Sequence, residues 1–180
     1  MGSNGSYLLY NAVKMDLKGE KHGIDISYPE GFVLRWPWEN GEVVPGVTCQ
    51  KADLMDPPFE DGKFDYITCL SVIEHEVDIN KLAAQCSRLL KPSGKLFLTF
   101  DYWDPKLDTT GKELFGLKWN VLCQNEVFDL IKSLTNCGFG ISGGVNSIDW
   151  TIQDAVINET YCAPFPGVAY TFGIFMFEKM

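Results

Sequence analysis

Asp25, Asp53, the pair Glu74-His75 and Asp101 each stand at, or just beyond, the end of a short apolar run. An ionised carboxylate offers two acceptor oxygens and no donor, so it suits the hydroxyls of a sugar or an exocyclic amino group. An imidazole carries protons near neutrality. Ahead of these residues, Gly2-Ser3-Asn4-Gly5 leads straight into a helical pattern. Glycines there let a ligand approach the backbone at the N-terminus of a helix. The interval from Gly5 to Asp25 is 25 − 5 = 20 residues, the spacing at which a nucleotide-binding loop is followed by its ribose-binding acid.

These residues need elements to hold them. Apolar residues at Ile79, Leu82, Ala83, Cys86, Leu89 and Leu90 form a helical stripe behind Asp78, a capping residue, with Pro92 and Gly94 as its end. A second helix starts near Asn125, buries Val127, Phe128, Leu130, Ile131 and Leu134, and stops at Gly138. A third spans Tyr7 to Met15, behind Ser6. Strand-length runs are His22–Ile26, Val47–Gln50, Phe64–Leu70, Leu96–Phe100, Phe139–Val145 and Val168–Phe177. Runs apolar on both faces belong to a parallel sheet covered by helices. Strand and helix alternate through residue 138, and two strands then follow in succession. The sequence therefore predicts an α/β sheet with an antiparallel C-terminal edge.

Between Asp25 and Pro45 the prolines and glycines leave room for one or two helical turns at most. Trp36 and Trp38 lie there and, like Trp119, suit packing and ligand stacking equally. The long connections Tyr102–Asn125 and Asn146–Gly167 suit lids or binding elements flanking a substrate pocket.

Composition narrows the function. The chain has 180 residues, 46% hydrophobic and 22% charged, with a formal charge of −9. That length fits one domain, residues 1–180, with a sizeable core. The negative charge disfavours nucleic acid and anionic membranes, since lysines and arginines are scattered among carboxylates. No apolar run approaches the ~20 residues of a membrane span, and no secretion signal opens the chain. The six cysteines show no metal-ligand spacing, so no metal is expected, and the reading is a cytoplasmic protein with free thiols.

One ordered set of features is more specific. Gly23-Ile24-Asp25-Ile26 is followed by Ala52-Asp53-Leu54, then by Pro58-Phe59-Glu60-Asp61-Gly62-Lys63-Phe64-Asp65. Ser71-Val72-Ile73-Glu74-His75 and Arg88-Leu89-Leu90-Lys91-Pro92-Ser93-Gly94 complete it. In this order the set resembles the class I S-adenosylmethionine-dependent methyltransferases of the small-molecule type. The match is continuous from Gly23 to Phe100 and looser beyond. The resemblance implies a Rossmann-like, mostly parallel sheet with helices on both faces and S-adenosyl-L-methionine as cofactor. It implies that Asp25 grips the ribose hydroxyls, with Ile26 beside it. Asp53 would accept from the adenine amino group while Leu54 packs on the ring. Cys69, Leu70 and Ser71 match the strand end beneath the methionine moiety, and Gly2, Ser3 and Gly5 the loop around its amino-acid part. His75 and Asp101 are the candidate bases for a small-molecule acceptor, an O, N or C nucleophile. Phe100 to Trp103 slightly favour a sugar, lipid or secondary metabolite.

The chain departs from the family at its start. Members carry a strand before the glycine loop, ending in an acidic residue, and here only Met1 precedes Gly2. That strand lies centrally, so its loss would leave its two neighbours with unpaired backbone groups. The expectation is an N-terminally truncated domain that either forms a homo-oligomer or repositions its N-terminal residues. Met1-Gly2-Ser3 is alternatively a vector remnant. The rival function is a non-catalytic methyltransferase-like binding module. A nicotinamide-dependent oxidoreductase shares the acid at position 25 but would require a full GxGxxG after a strand.

Overall fold

The computed structural model describes residues 7–36, 41–150, 154–155, 157 and 164–180. The chain divides into two compact units, residues 1–58 and 59–180.

In the first unit, helix α1 (Tyr7–Lys14) precedes two parallel strands, β1 (Lys21–Asp25) and β2 (Val47–Lys51). Their register sets Asp25 opposite Lys51. Tyr10, Leu34, Trp36 and Val44 form the core, with Leu9, Val13, Phe32, Val47 and Cys49 packed against it. Trp36 stacks on Tyr10 with ring centroids 5.2 Å apart, and Lys14 lies over its face. It is therefore a packing residue. No helix occurs among the described residues between β1 and β2, as the prolines and glycines there require. Tyr28, almost fully buried and stacked on Phe32, anchors that connection instead.

The second unit holds a four-stranded sheet. Strands β3 (Phe64–Leu70) and β4 (Leu90–Tyr102) pair in parallel. Strand β8 (Thr171–Lys179) runs antiparallel to β4, and β7 (Phe139–Ile141) antiparallel to β8, giving the order β3-β4-β8-β7. The predicted antiparallel C-terminal edge is thus present. Helix α2 (Ile79–Leu89) starts at Asp78, whose Oδ1 accepts the amides of Asn80 and Lys81 at 3.0 and 3.1 Å. It buries Leu82, Ala83, Cys86 and Leu89 and packs against α3 (Gln124–Asn136) and β4. Along β4, buried Leu96, Leu98 and Phe100 alternate with half-buried Phe97 and Thr99, so the sheet has one well-covered face.

Two differences from the sequence reading have clear causes. The α2 stripe ends at Leu89, before Pro92 and Gly94, and β4 begins at once. The proline lies where the β3–β4 register shifts, between the pairs Phe64–Leu90 and Tyr66–Lys95, and there its missing N–H costs no ladder bond. Within the long connection 102–125, Glu113–Leu114 (β5) and Leu117–Lys118 (β6) form a small antiparallel hairpin. Two-residue strands are too short to leave a readable alternation.

Pairing in both units bears on the missing-strand expectation. Among the described residues, β1 pairs with β2 alone and β3 with β4 alone. Each is therefore an edge strand.

Candidate active site

Asp25 is the last residue of β1, half-buried, with the chain turning sharply after it. Its Oδ1 accepts the backbone N–H of Ser27 at 2.8 Å and the Ser27 hydroxyl at 2.6 Å. Asp53 makes the same kind of turn: its exposed carboxylate accepts the Met55 amide at Oδ1, 2.8 Å away. These local bonds fix each side chain and commit one oxygen. The second oxygen of each makes no hydrogen bond among the described residues. Ile26 is 52% exposed and Leu54 half-buried, so each acid has an apolar side chain beside it in solvent. The pair of groups offers what a ribose and an adenine ring need: a fixed acceptor and an apolar surface. Gly2, Ser3 and Gly5, together with Trp38, lie outside the described residues.

In the second unit, β3 ends at Leu70. Cys69 is fully buried and burial pushes its thiol up to about 11, so only its backbone is available to a ligand. Leu70 and Ser71 are exposed. Ser71 adopts a left-handed backbone, φ 49°, and its N–H donates to both the carbonyl and the hydroxyl oxygen of Thr99 at 3.0 Å. A non-glycine residue held there by two bonds marks a sharp, well-determined turn at the strand end.

That turn delivers Glu74 and His75. Glu74 is 1% exposed, and its carboxyl lies close enough to Asp101, 5% exposed, to feel that charge. Burial, reinforced by Asp101, pushes Glu74 up to about 8, despite hydrogen bonds from its own and the Asp101 backbone amides. Burial likewise raises Asp101 to about 6, against the opposing effect of Trp119, whose indole N–H donates to Asp101 Oδ2 at 2.7 Å. The two carboxyls therefore retain a proton between them above the ordinary carboxylate range. Glu74 Oε2 is enclosed and has no hydrogen-bond partner. Among the described residues no lysine or arginine pairs with either acid.

The 117–122 segment straps this pair. Asn120 donates its amide to the Glu74 carbonyl, and Leu122 to that of Asp101, both at 2.9 Å. Trp119 sits in a small core with Val121, Val168 and Tyr170, against the rings of Phe165 and Tyr170. The Tyr170 phenol is pushed up to about 12 by burial and then by the two acids. His75 is half-buried beside Phe115. One ring nitrogen meets the Lys118 carbonyl, Nδ1 has no partner, and burial favours the neutral imidazole.

The second unit thus brings His75 and Asp101 to the strand-end region that the sequence assigns them. The sequence reading missed Trp119 as the partner of Asp101 and gave Glu74 no separate role. A tryptophan amid a polar connection was the available signal, because a buried indole N–H requires an acceptor.

A family model described as a methyltransferase domain matches residues 2–98. The chain belongs to this methyltransferase family. The family uses S-adenosylmethionine, and its fold is the Rossmann-like one expected from the sequence. A ubiquinone biosynthesis O-methyltransferase of Coxiella burnetii is 27% identical over 115 residues, covering 51% of this chain and 48% of its own. One of the same name from Xanthomonas oryzae pv. oryzae is 50% identical over 38 residues, 21% of this chain and 16% of its own. The chain therefore spans about half, or less, of the curated relatives it matches. Among solved structures, an S-adenosylmethionine-dependent methyltransferase from Methanosarcina mazei aligns with TM-score 0.60 at 16% identity, covering 96% of this chain and 86% of that one. The Haemonchus contortus phosphoethanolamine N-methyltransferase 2 aligns at 0.53 and 20% identity, over 74% and 31%. These likenesses establish the fold. No helix among the described residues is long and apolar enough to cross a membrane.

Proposed function

We propose that this chain transfers the methyl group of S-adenosylmethionine to an O, N or C nucleophile on a small molecule. The observation that carries the reading is the pair of acids, Asp25 and Asp53, at or just beyond the ends of the parallel strands β1 and β2 of the first unit, since ligands of α/β sheets bind at strand ends. Asp25 and Asp53 each keep an uncommitted carboxylate oxygen there. Asp25 is assigned to the ribose hydroxyls, with Ile26 beside it, and Asp53 to the adenine amino group, with Leu54 against the ring. The family resemblance assigns Cys69, Leu70 and Ser71 to the methionine moiety and Gly2, Ser3 and Gly5 to the loop around its amino-acid part. The cofactor supplies an activated methyl on a sulfonium, so the protein's main task is to orient donor and acceptor. His75 and Asp101 belong to the group of titratable side chains beyond β3 and β4 that serves where the acceptor must lose a proton.

The edge strands β1 and β3 support self-association as a further part of this reading, since an edge presents backbone groups for pairing. The rival, a methyltransferase-like module without activity, is separated by titration. Wild-type chain that binds S-adenosylhomocysteine and consumes S-adenosylmethionine with an acceptor supports transfer. Folded chain that binds neither contradicts it.

A further inference from the structure

The buried carboxyl pair of the second unit has a geometry that structure alone does not require. Glu74 and Asp101 stand at 1% and 5% exposure, without a basic partner among the described residues. Asp101 is fully engaged: Trp119 holds Oδ2 at 2.7 Å, and the strap residue Leu122 holds its carbonyl. Glu74 is engaged through its backbone, by Asn120, while its Oε2 faces no donor at all. A buried polar oxygen left unpaired costs about 1–3 kcal/mol. Such atoms persist in folded proteins where a ligand or water completes them. Asp101 lies close enough for its charge to raise Glu74, and the Tyr170 phenol feels the charge of both acids. Two acids in this setting repel an anion and accept a hydrogen-bond donor.

We propose that Glu74 Oε2 is the atom that receives the acceptor's proton, and that the acceptor presents a neutral X–H donor, a hydroxyl or an amine. This inference rests on the methyl-transfer reading. In the step, the X–H bond breaks and its proton passes to Glu74 Oε2. The electron pair left on X forms the bond to the methyl carbon, while the C–S bond breaks with its pair going to sulfur. The products are the methylated acceptor, neutral S-adenosylhomocysteine and protonated Glu74, which returns its proton to solvent. Asp101 is a positioning residue in this scheme. Held by Trp119, it raises the basicity of Glu74 through its charge. His75, already bonded to the Lys118 carbonyl, is left to orient the acceptor.

The test uses the full chain loaded with S-adenosylhomocysteine and two probes that are neutral at pH 7, catechol for the hydroxyl class and aniline for the amine class. Binding of the matching probe should select ionised Glu74. At pH 7 it should therefore release close to one proton, read from calorimetric heats in buffers of different ionisation enthalpy. Glu74→Gln should abolish that release and weaken the probe about tenfold or more, leaving S-adenosylhomocysteine affinity unchanged. Methyl transfer to the matching probe should rise with pH up to about 8 in the wild type and lose that limb in the variant. Should Glu74→Gln fail to fold, the infrared band of the protonated carboxyl in the wild type decides: it should be present at pH 7 and vanish when the probe binds. Neither probe binding to chain that does bind S-adenosylhomocysteine would overturn the proposal. So would binding without proton release, or an unchanged pH profile in Glu74→Gln. Failure to bind S-adenosylhomocysteine would instead defeat the methyl-transfer reading itself.

Discussion

The two units place carboxylates at the ends of parallel strands in opposite ways. Asp25 and Asp53 are half-buried and exposed, each pinned through Oδ1 by the backbone two residues on. Glu74 and Asp101 are buried, close together and roofed by a tryptophan. In the first arrangement solvent pays for the charge, and the acid is a fixed acceptor ready for a polar ligand. In the second, desolvation raises both acids and the charge of Asp101 raises Glu74 further, so the pair holds on to a proton. The same residue type thus becomes a binding group in one unit and a proton-handling group in the other, and burial makes the difference.

The largest effect should come from removing the roof. Trp119→Ala deletes a side chain that is 2% exposed, together with the 2.7 Å bond to Asp101. Loss of about 3–5 kcal/mol is expected from the cavity alone. Urea unfolding of the two chains measures it. A loss below about 1 kcal/mol would show that the pair does not depend on this residue.

Next in size is the pH dependence of stability. Glu74 rises from an ordinary 4.5 to about 8 in the folded chain, so between those values the folded state holds more protons than the unfolded one. Its contribution is fully present below pH 4.5 and is lost as pH rises towards 8. Asp101, raised from 3.8 to about 6, adds a term of the same sign at lower pH. The Tm should therefore fall between pH 5 and pH 8, and Glu74→Gln should flatten the curve above pH 6. A wild-type Tm that climbs over this range contradicts the shared proton.

The first unit should respond in binding rather than stability. Asp25→Ala should lower S-adenosylhomocysteine affinity by about 10- to 150-fold, the value of charge-assisted hydrogen bonds of roughly 1.5–3 kcal/mol. Smallest of all, Ser27→Ala removes the hydroxyl bond to Asp25 Oδ1 while the backbone N–H bond remains, and it should shift stability by less than about 1 kcal/mol. An affinity change as large as that of Asp25→Ala would mean that the serine, rather than the acid, organises this strand end.

What the sequence revealed follows the range of its signals. Helices α2 and α3 announce themselves through i, i+3, i+4 stripes, and β3 coincides with the run Phe64–Leu70 because a buried strand flanked by turns has sharp limits. Asp25, Asp53, His75 and Asp101 were legible as residues at run ends. The partnership of Glu74 with Asp101 spans 27 residues in the chain (101 − 74) and arises only when β3 and β4 pair in register. Trp119 reaches Asp101 from farther along the chain, after a hairpin too short to show periodicity. Long-range placement of this kind leaves no local pattern to read.

The comparison between the two units is tested most directly by titrating S-adenosylhomocysteine into the wild type, Asp25→Ala and Glu74→Gln by calorimetry. The account predicts binding to the wild type, a loss of about tenfold or more in Asp25→Ala and unchanged affinity in Glu74→Gln. Equal affinity in wild type and folded Asp25→Ala, or loss in Glu74→Gln alone, would contradict it.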